Sequence, residues 1–200
     1  MGAYSYGLKL VTPASGEPVS REELKKQLEI APTISVHDPH CDRLLRGARQ
    51  LCESRTGRAL LSSTWDLLLD RFPAGLAPIR FPRAPLISVT HLKYIDSAGT
   101  QQTWSAANYK VLTGREPGEL HRAYNVQWPT ARCEPDAVEV RFVAGYAAAA
   151  DVPELVKQAI LVTADAWFHQ RSGEGTLPPA ALDLLASAGY GDEFVCFPGD

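Results

Sequence analysis

The chain has 200 residues, 45% of them hydrophobic and 22% charged, with a formal net charge of -3. That length supports one or two domains with a sizeable core, and the charge excludes an overall basic signature for wrapping nucleic acid. No apolar run approaches the length that crosses a bilayer, and the start M-G-A-Y-S-Y-G-L-K-L lacks the basic and apolar stretches of a secretory signal. The expectation is a protein made and kept in the cytoplasm.

The first nineteen residues read as extended, with Pro13, Gly16 and Pro18 and no helical period. Ser20-Arg21-Glu22-Glu23 is a capping box that opens a short helix carrying Leu24 and Leu28. Ala31-Pro32 ends it, since the residue before proline avoids the helical region. Asp38-Pro39 predicts a second helix with aspartate as cap. Leu44, Leu45, Ala48, Leu51, Cys52 and Arg55 form its stripe, and Gly57 is its left-handed stop.

From Thr64 to Val143 the period changes to two. Strands are predicted over 64–70, 79–81, 86–95, 100–104, 109–112, 119–121 and 137–143. Pro78 and Pro82 put the second of these at an edge. The helical period returns at Asp151-Val152-Pro153-Glu154, read as a second capping box. Leu155, Val156, Ala159, Ile160, Thr163, Ala166 and Trp167 form the stripe that follows. A last short helix carries Leu182, Leu185 and Ala186 and stops near Gly189.

The expected fold is therefore α+β: a bundle of about four helices with a small antiparallel sheet inserted between the second and third long helices. One domain is expected, helical over 20–58 and 152–189, with a β insertion over about 62–144 and a flexible C-terminal tail over 190–200.

No part of this pattern supplies a nucleophile, a metal cage or a phosphate cradle. Cys41, Cys52, Cys133 and Cys196 contain no C-x-x-C pair. Cys41 and Cys52 lie eleven residues apart, about 16 Å along a helix, too far for one metal. His37, His40 and Cys41 are the best metal candidates, with a loop and helix start as the plainer reading. Gly173-Glu174-Gly175 and Gly189-Tyr190-Gly191 lack the strand, helix and further residues of a phosphate loop. The acidic pairs Asp136/Glu139 and Asp192/Glu193 read as solvated surface. Trp65, Trp104, Trp128 and Trp167 sit at apolar positions or beside a proline turn, where core packing is the default and stacking on a sugar or base the rival. No catalytic, metal or cofactor residue is assigned.

Taken in order, several segments carry a resemblance: L-K-L-V-T-P-A-S-G-E-P-V-S-R-E-E-L-K-K-Q-L, A-R-Q-L-C-E-S-R-T-G-R-A-L-L-S-S-T-W-D-L-L-L-D-R-F-P, I-R-F-P-R-A-P-L-I-S-V-T-H-L-K-Y-I-D-S-A-G-T, N-Y-K-V, W-P, V-E-V-R-F-V-A-G-Y and V-P-E-L-V-K-Q-A-I-L. The chain resembles the head–tail connector (adaptor) proteins of long-tailed phages, prophages and gene-transfer particles, over roughly Leu8 to Arg171. The resemblance implies a virion structural protein, not an enzyme and without a cofactor, assembled in the bacterial host cytoplasm. It implies a ring of copies beneath the portal, twelve-fold in the particle. Such a ring lengthens the channel through which DNA passes without specific binding, and offers a platform to downstream neck and tail proteins. No membrane is involved. Rings of this family dock on the portal largely through C-terminal elements. Here those are Leu182, Leu185, Tyr190, Phe194, Val195 and Phe197, in a segment expected to be mobile from about Leu177 until the portal orders it. The rival readings are another neck component (a stopper or tail terminator), a small ligand-binding α+β module, and a metal hydrolase using His37, His40 and Cys41.

Overall fold

The computed structural model describes residues 6–170 and 175–190. Within them the chain is α+β, with four α-helices and antiparallel sheets. It divides into two compact units, a β unit of residues 6–14 and 62–145 and a helical unit of residues 15–61, 146–170 and 175–190. No helix of the described residues is long and apolar enough to cross a membrane.

The β unit contains β1 (Tyr6–Thr12), β2 (Ser63–Leu69), β3 (Ile79–Arg80), β4 (Leu86–Ile95), β5 (Gln101–Trp104), β6 (Tyr109–Leu112), β7 (Glu119–Arg122) and β8 (Val138–Ala144). Five strands form one sheet in the order β1-β2-β8-β4-β5, and three form another in the order β3-β7-β6. Two expectations need correction here. The strands make two sheets, and they are not simply an insertion between α2 and α3, because the edge strand β1 precedes both. The period-two run Tyr6, Leu8, Leu10 explains its recruitment, since these residues pair with Leu69, Leu67 and Trp65 on one face of the sheet.

Register sorts the large sheet into two faces. One carries Leu67, Val140, Leu92 and Trp104 in a single row, with Leu69, Val138 and Tyr94 beside it. The other carries the row Lys9, Asp66, Arg141 and His91. Asp66 is buried on this polar face and takes both guanidinium bonds of Arg141, at 2.7 and 2.8 Å. The second sheet is joined by close backbone approach. A Cβ at Gly118 would lie 2.5 Å from Leu86 Cβ, so only glycine fits, and the Gly118 carbonyl accepts from Phe81 N–H at 3.0 Å.

The helical unit contains α1 (Arg21–Gln27), α2 (Asp38–Thr56), α3 (Glu154–His169) and α4 (Pro179–Ser187). The capping box at Ser20 forms as its spacing predicts: Glu23 N–H donates to Ser20 Oγ, and Ser20 N–H donates to Glu23 Oε2. Gly57 ends α2 at φ 66°. Packing joins α2 to α3, α3 to α4, and α1 to both α2 and α3.

Several local expectations change. Asp38 is not the cap of α2; His37 holds that position without a side-chain bond, because the Asp38 carboxylate is engaged by Lys25 and Arg21. Asp151 does not cap α3; it closes a 3-10 turn by accepting from Ala148 N–H, and α3 begins after Pro153. The buried stripe of α2 is Cys41, Leu44, Leu45, Ala48, Cys52 and Thr56, leaving Arg55 exposed and Leu51 only half-buried. Leu155, in the first turn of α3, is 39% exposed, while Leu161 and Ala164 join the core.

Candidate partner-binding surfaces

The residues expected to touch a portal divide three ways. Leu182 is exposed on α4. Leu185, one turn further on, is 2% exposed, a core residue of the helical unit together with Ala181. The segment from Leu177 is thus not loose as a whole, since α4 is a packed element. Tyr190 is half-buried and held at both ends: its hydroxyl lies 2.6 Å from the Tyr146 hydroxyl, and the Arg58 guanidinium sits 3.8 Å above its ring. Phe194, Val195 and Phe197, with the rest of the expected tail beyond Tyr190, lie outside the described residues.

A second surface comes from residues that sequence patterning passed over. Lys25 follows Leu24 on the inward side of α1 and is 5% exposed. Its Nζ donates to the carbonyls of Pro32 (3.1 Å) and Ile34 (2.6 Å) and to Asp38 Oδ1 (2.8 Å). Arg21 brackets the same point by donating to Asp38 and Asp42. The hydrogen bond from Lys25 holds the Asp38 carboxyl below the usual carboxylate range, against a smaller opposing effect of burial. The loop between α1 and α2 is therefore fixed from beneath. Its outer side presents Ile34 at 44% and Val36 at 76% exposure. The available signal was a lysine on the apolar side of an amphipathic helix, followed by a loop with apolar residues at alternate positions.

Beside the middle turns of α2 lies an open groove of about 510 Å³, lined by Arg43, Leu44, Gly47, Gln50, Leu51 and Ser54 of α2, by Trp167 of α3 and by Gly175. Gly47 makes room for the indole, since a Cβ there would stand 3.1 Å from the Trp167 ring. The indole is fixed by its own N–H, which donates to the Thr176 carbonyl at 2.9 Å.

The metal-site candidates do not converge. Cys41 is wholly buried and its thiol is pushed up by burial and by Asp38. His37 and His40 instead pack their rings on Phe168, at 5.8 and 5.6 Å between centroids. Burial pushes Cys52 up to about 12. Among the described residues no three His, Cys, Asp or Glu side chains are placed to hold a metal ion. The tryptophans of the β unit are packing residues: Trp128 stacks on Phe72 at 5.1 Å and touches Trp104 at the same distance, and Trp65 donates to Ser63 Oγ.

The densest charge cluster in the β unit is Glu119, buried, which accepts from Arg80, Arg115 and His121. Burial pushes its carboxyl up, but the bonds from His121, Arg115 and Arg80 prevail and hold it below the usual range. Around one ionised carboxylate that three side chains engage, such a cluster acts as a structural tie.

No protein-family model matches the chain. No curated protein matches it either. Among solved structures, it matches a chain in the neck of an empty gene transfer agent particle computed with C6 symmetry. Identity is 24%, over 90% of this chain and 94% of that one, with a TM-score of 0.74. The chain has the fold of a protein in a gene transfer agent neck. A chain in the virion of the native gene transfer agent particle matches equally well, at 24% identity over 92% and 94% of the two chains and a TM-score of 0.74. The neck of the native particle computed with C12 symmetry gives 23% identity, 90% and 93% coverage, and 0.69. At such identity the likeness is one of fold, and both units of the present chain fall within it.

Proposed function

We propose that the protein is a structural component of a phage-like neck, and within that neck a head–tail connector (adaptor). Its copies form a ring beneath the portal, lengthen the DNA channel, and present a platform to the next neck or tail protein. The observation that carries the reading is the match of the fold, over about nine-tenths of both chains, to a protein of the gene transfer agent neck. The neck structures were computed with C6 and C12 symmetry, which suits a ring of copies here, twelve-fold if it matches the portal. The place of action is then the virion or virion-like particle, and the role is non-enzymatic.

The chemistry of the chain agrees with this reading. A net charge of -3 suits a channel wall that must let phosphates pass, because each phosphate contact adds affinity. Portal contact is assigned to exposed Leu182 and to the tail after Tyr190 with Phe194, Val195 and Phe197. Tyr190 serves as the anchor from which that tail departs, and Leu185 supports α4 from inside.

The test is to mix the purified protein with capsids that carry a portal but no neck, and to image them by electron microscopy. An added ring of density beneath the portal is expected. Capsids that gain no density would overturn the assignment, and density at the far end of a finished tail would move the protein to the tail-terminator position.

A further inference from the structure

We propose that Asp192 and Glu193 seat on the Arg58 guanidinium of their own chain, an ionic clasp that fixes where the C-terminal segment leaves the helical unit. The clasp needs no partner molecule; its use in presenting Phe194, Val195 and Phe197 to a portal rests on the reading above.

Three turns of the chain converge on one point. Gly57, Gly145 and Gly189 take φ of 66°, 116° and 80°, and the residues that directly follow them are Arg58, Tyr146 and Tyr190. The Arg58 guanidinium sits 3.8 Å above the Tyr190 ring, and the Tyr190 hydroxyl lies 2.6 Å from that of Tyr146. The Tyr190 backbone is held as well. Its N–H donates to the Leu185 carbonyl at 2.9 Å, and the Gly189 N–H donates to the Ala186 carbonyl at 3.0 Å, a helix stop of the Schellman type. Tyr190 is thus fixed by backbone, ring and hydroxyl. It stands immediately before residues 191–200, which lie outside the described part of the chain.

Arg58 is a cation drawn into the fold, only 5% exposed. A guanidinium withdrawn from water is stable when aromatic faces and anions replace its hydration, and it donates two parallel N–H bonds to a carboxylate. The residues that follow the ring beneath it supply the anions. Asp192 and Glu193 lie two and three positions beyond Tyr190, a span of at most about 7 and 11 Å, and Gly191 between them and the ring lets the backbone turn either way. Residues 191–200 contain Asp192, Glu193 and Asp200 and neither lysine nor arginine. Sequence alone reads the acidic pair as solvated surface; its place beside a buried guanidinium gives it a partner. The short tether favours the same chain, since it holds the carboxylates at a high effective concentration, whereas those of another molecule bear the full entropy loss of association. A segment pinned at its root leaves every copy at an equivalent place and loses less entropy on docking than one free from its first residue.

The test uses the free full-length protein. Asp192→Asn with Glu193→Gln removes two charges at positions outside the described fold, and Asp200→Asn is the control that removes one further on. The double variant is expected to exchange its Tyr190 amide hydrogen at least about tenfold faster than wild type, because local opening at the clasp becomes easier. Raising sodium chloride from about 0.05 to about 0.5 M should do the same to wild type and little to the double variant, and the control should match wild type. In an Arg58→Gln background the two tail substitutions should add nothing; a full effect there would assign the carboxylates to another cation and overturn the proposal. Unchanged Tyr190 protection in the double variant would also overturn it. So would wild-type protection that rises with protein concentration, because the carboxylates would then sit on a second copy. On portal-bearing capsids the double variant should show reduced occupancy. Faster exchange with wild-type occupancy would leave the clasp standing and remove the tail from portal contact.

Discussion

Burying a lysine is unfavourable unless each of its N–H donors finds an oxygen, and Lys25 meets that condition with two carbonyls and one carboxylate. Lys25→Met would leave those three acceptors without their donor, at a cost of about 1–3 kcal/mol, readable in a urea melt, with greater proteolysis within residues 31–37. Nothing in the sequence pattern announced this role, because charge reads as surface until the partner carbonyls, seven and nine residues on, are seen to fold back. Leu51 and Ile160 show the opposite error. Both fit an apolar stripe, yet Ile160 is 1% exposed while Leu51 lines the groove. Ile160→Ala should cost about 2–5 kcal/mol, and Leu51→Ala distinctly less; equal losses in denaturant midpoints would contradict the placement. Asp66 sets a pH dependence. The Arg141 bonds, opposed by burial, hold its carboxyl below the ordinary value. A depressed folded-state pKa contributes stability that is present above the unfolded value, about 3.9, and lost as pH falls through the folded one. Stability should therefore drop on acidification below about pH 4, and Asp66→Asn should be less stable at pH 7 but flatter across that window. A slope unchanged in Asp66→Asn would assign acid sensitivity elsewhere, with Glu119 the next carboxylate held low.

Most elements were legible because their signals are local. The period of two located β2 and β4 to β8 within a residue or two, the Ser20 capping box located α1, and Gly57 marked the end of α2. What stayed hidden was long-range. Strand pairing brings β1 across more than fifty residues to β2, and it splits the remaining strands into two sheets. Asp151 and Asp38 both looked like caps, and each was drawn elsewhere by a nearby competing partner. Two outcomes belong to this scale. Ser20→Ala removes the cap oxygen from a seven-residue helix and should cost about 1 kcal/mol, measured by equilibrium unfolding. Deletion of residues 191–200 leaves α4 in place, whereas deletion from Leu177 removes it, with its buried Ala181 and Leu185, and should unfold the helical unit. If the shorter deletion still binds portal-bearing capsids at wild-type occupancy, portal contact lies on the described surface.

At the scale of the whole molecule the ordered segments were legible as a connector-like chain, and the fold agrees over about nine-tenths of its length with a gene transfer agent neck protein. The candidate site was much less legible. Docking surfaces have no fixed spacing to search for, unlike a metal cage or a nucleophile. On the proposed ring reading, assembly should also be steep in protein concentration, because a portal would offer many equivalent seats and neighbours would share contacts. The most direct test of the central claim is an electron cryo-microscopy reconstruction of portal-bearing capsids incubated with the full-length protein. The account predicts one added ring beneath the portal, twelve-fold when the portal is, with the chain's two units fitted into each repeat. Capsids that show a bare portal at saturating protein would contradict it.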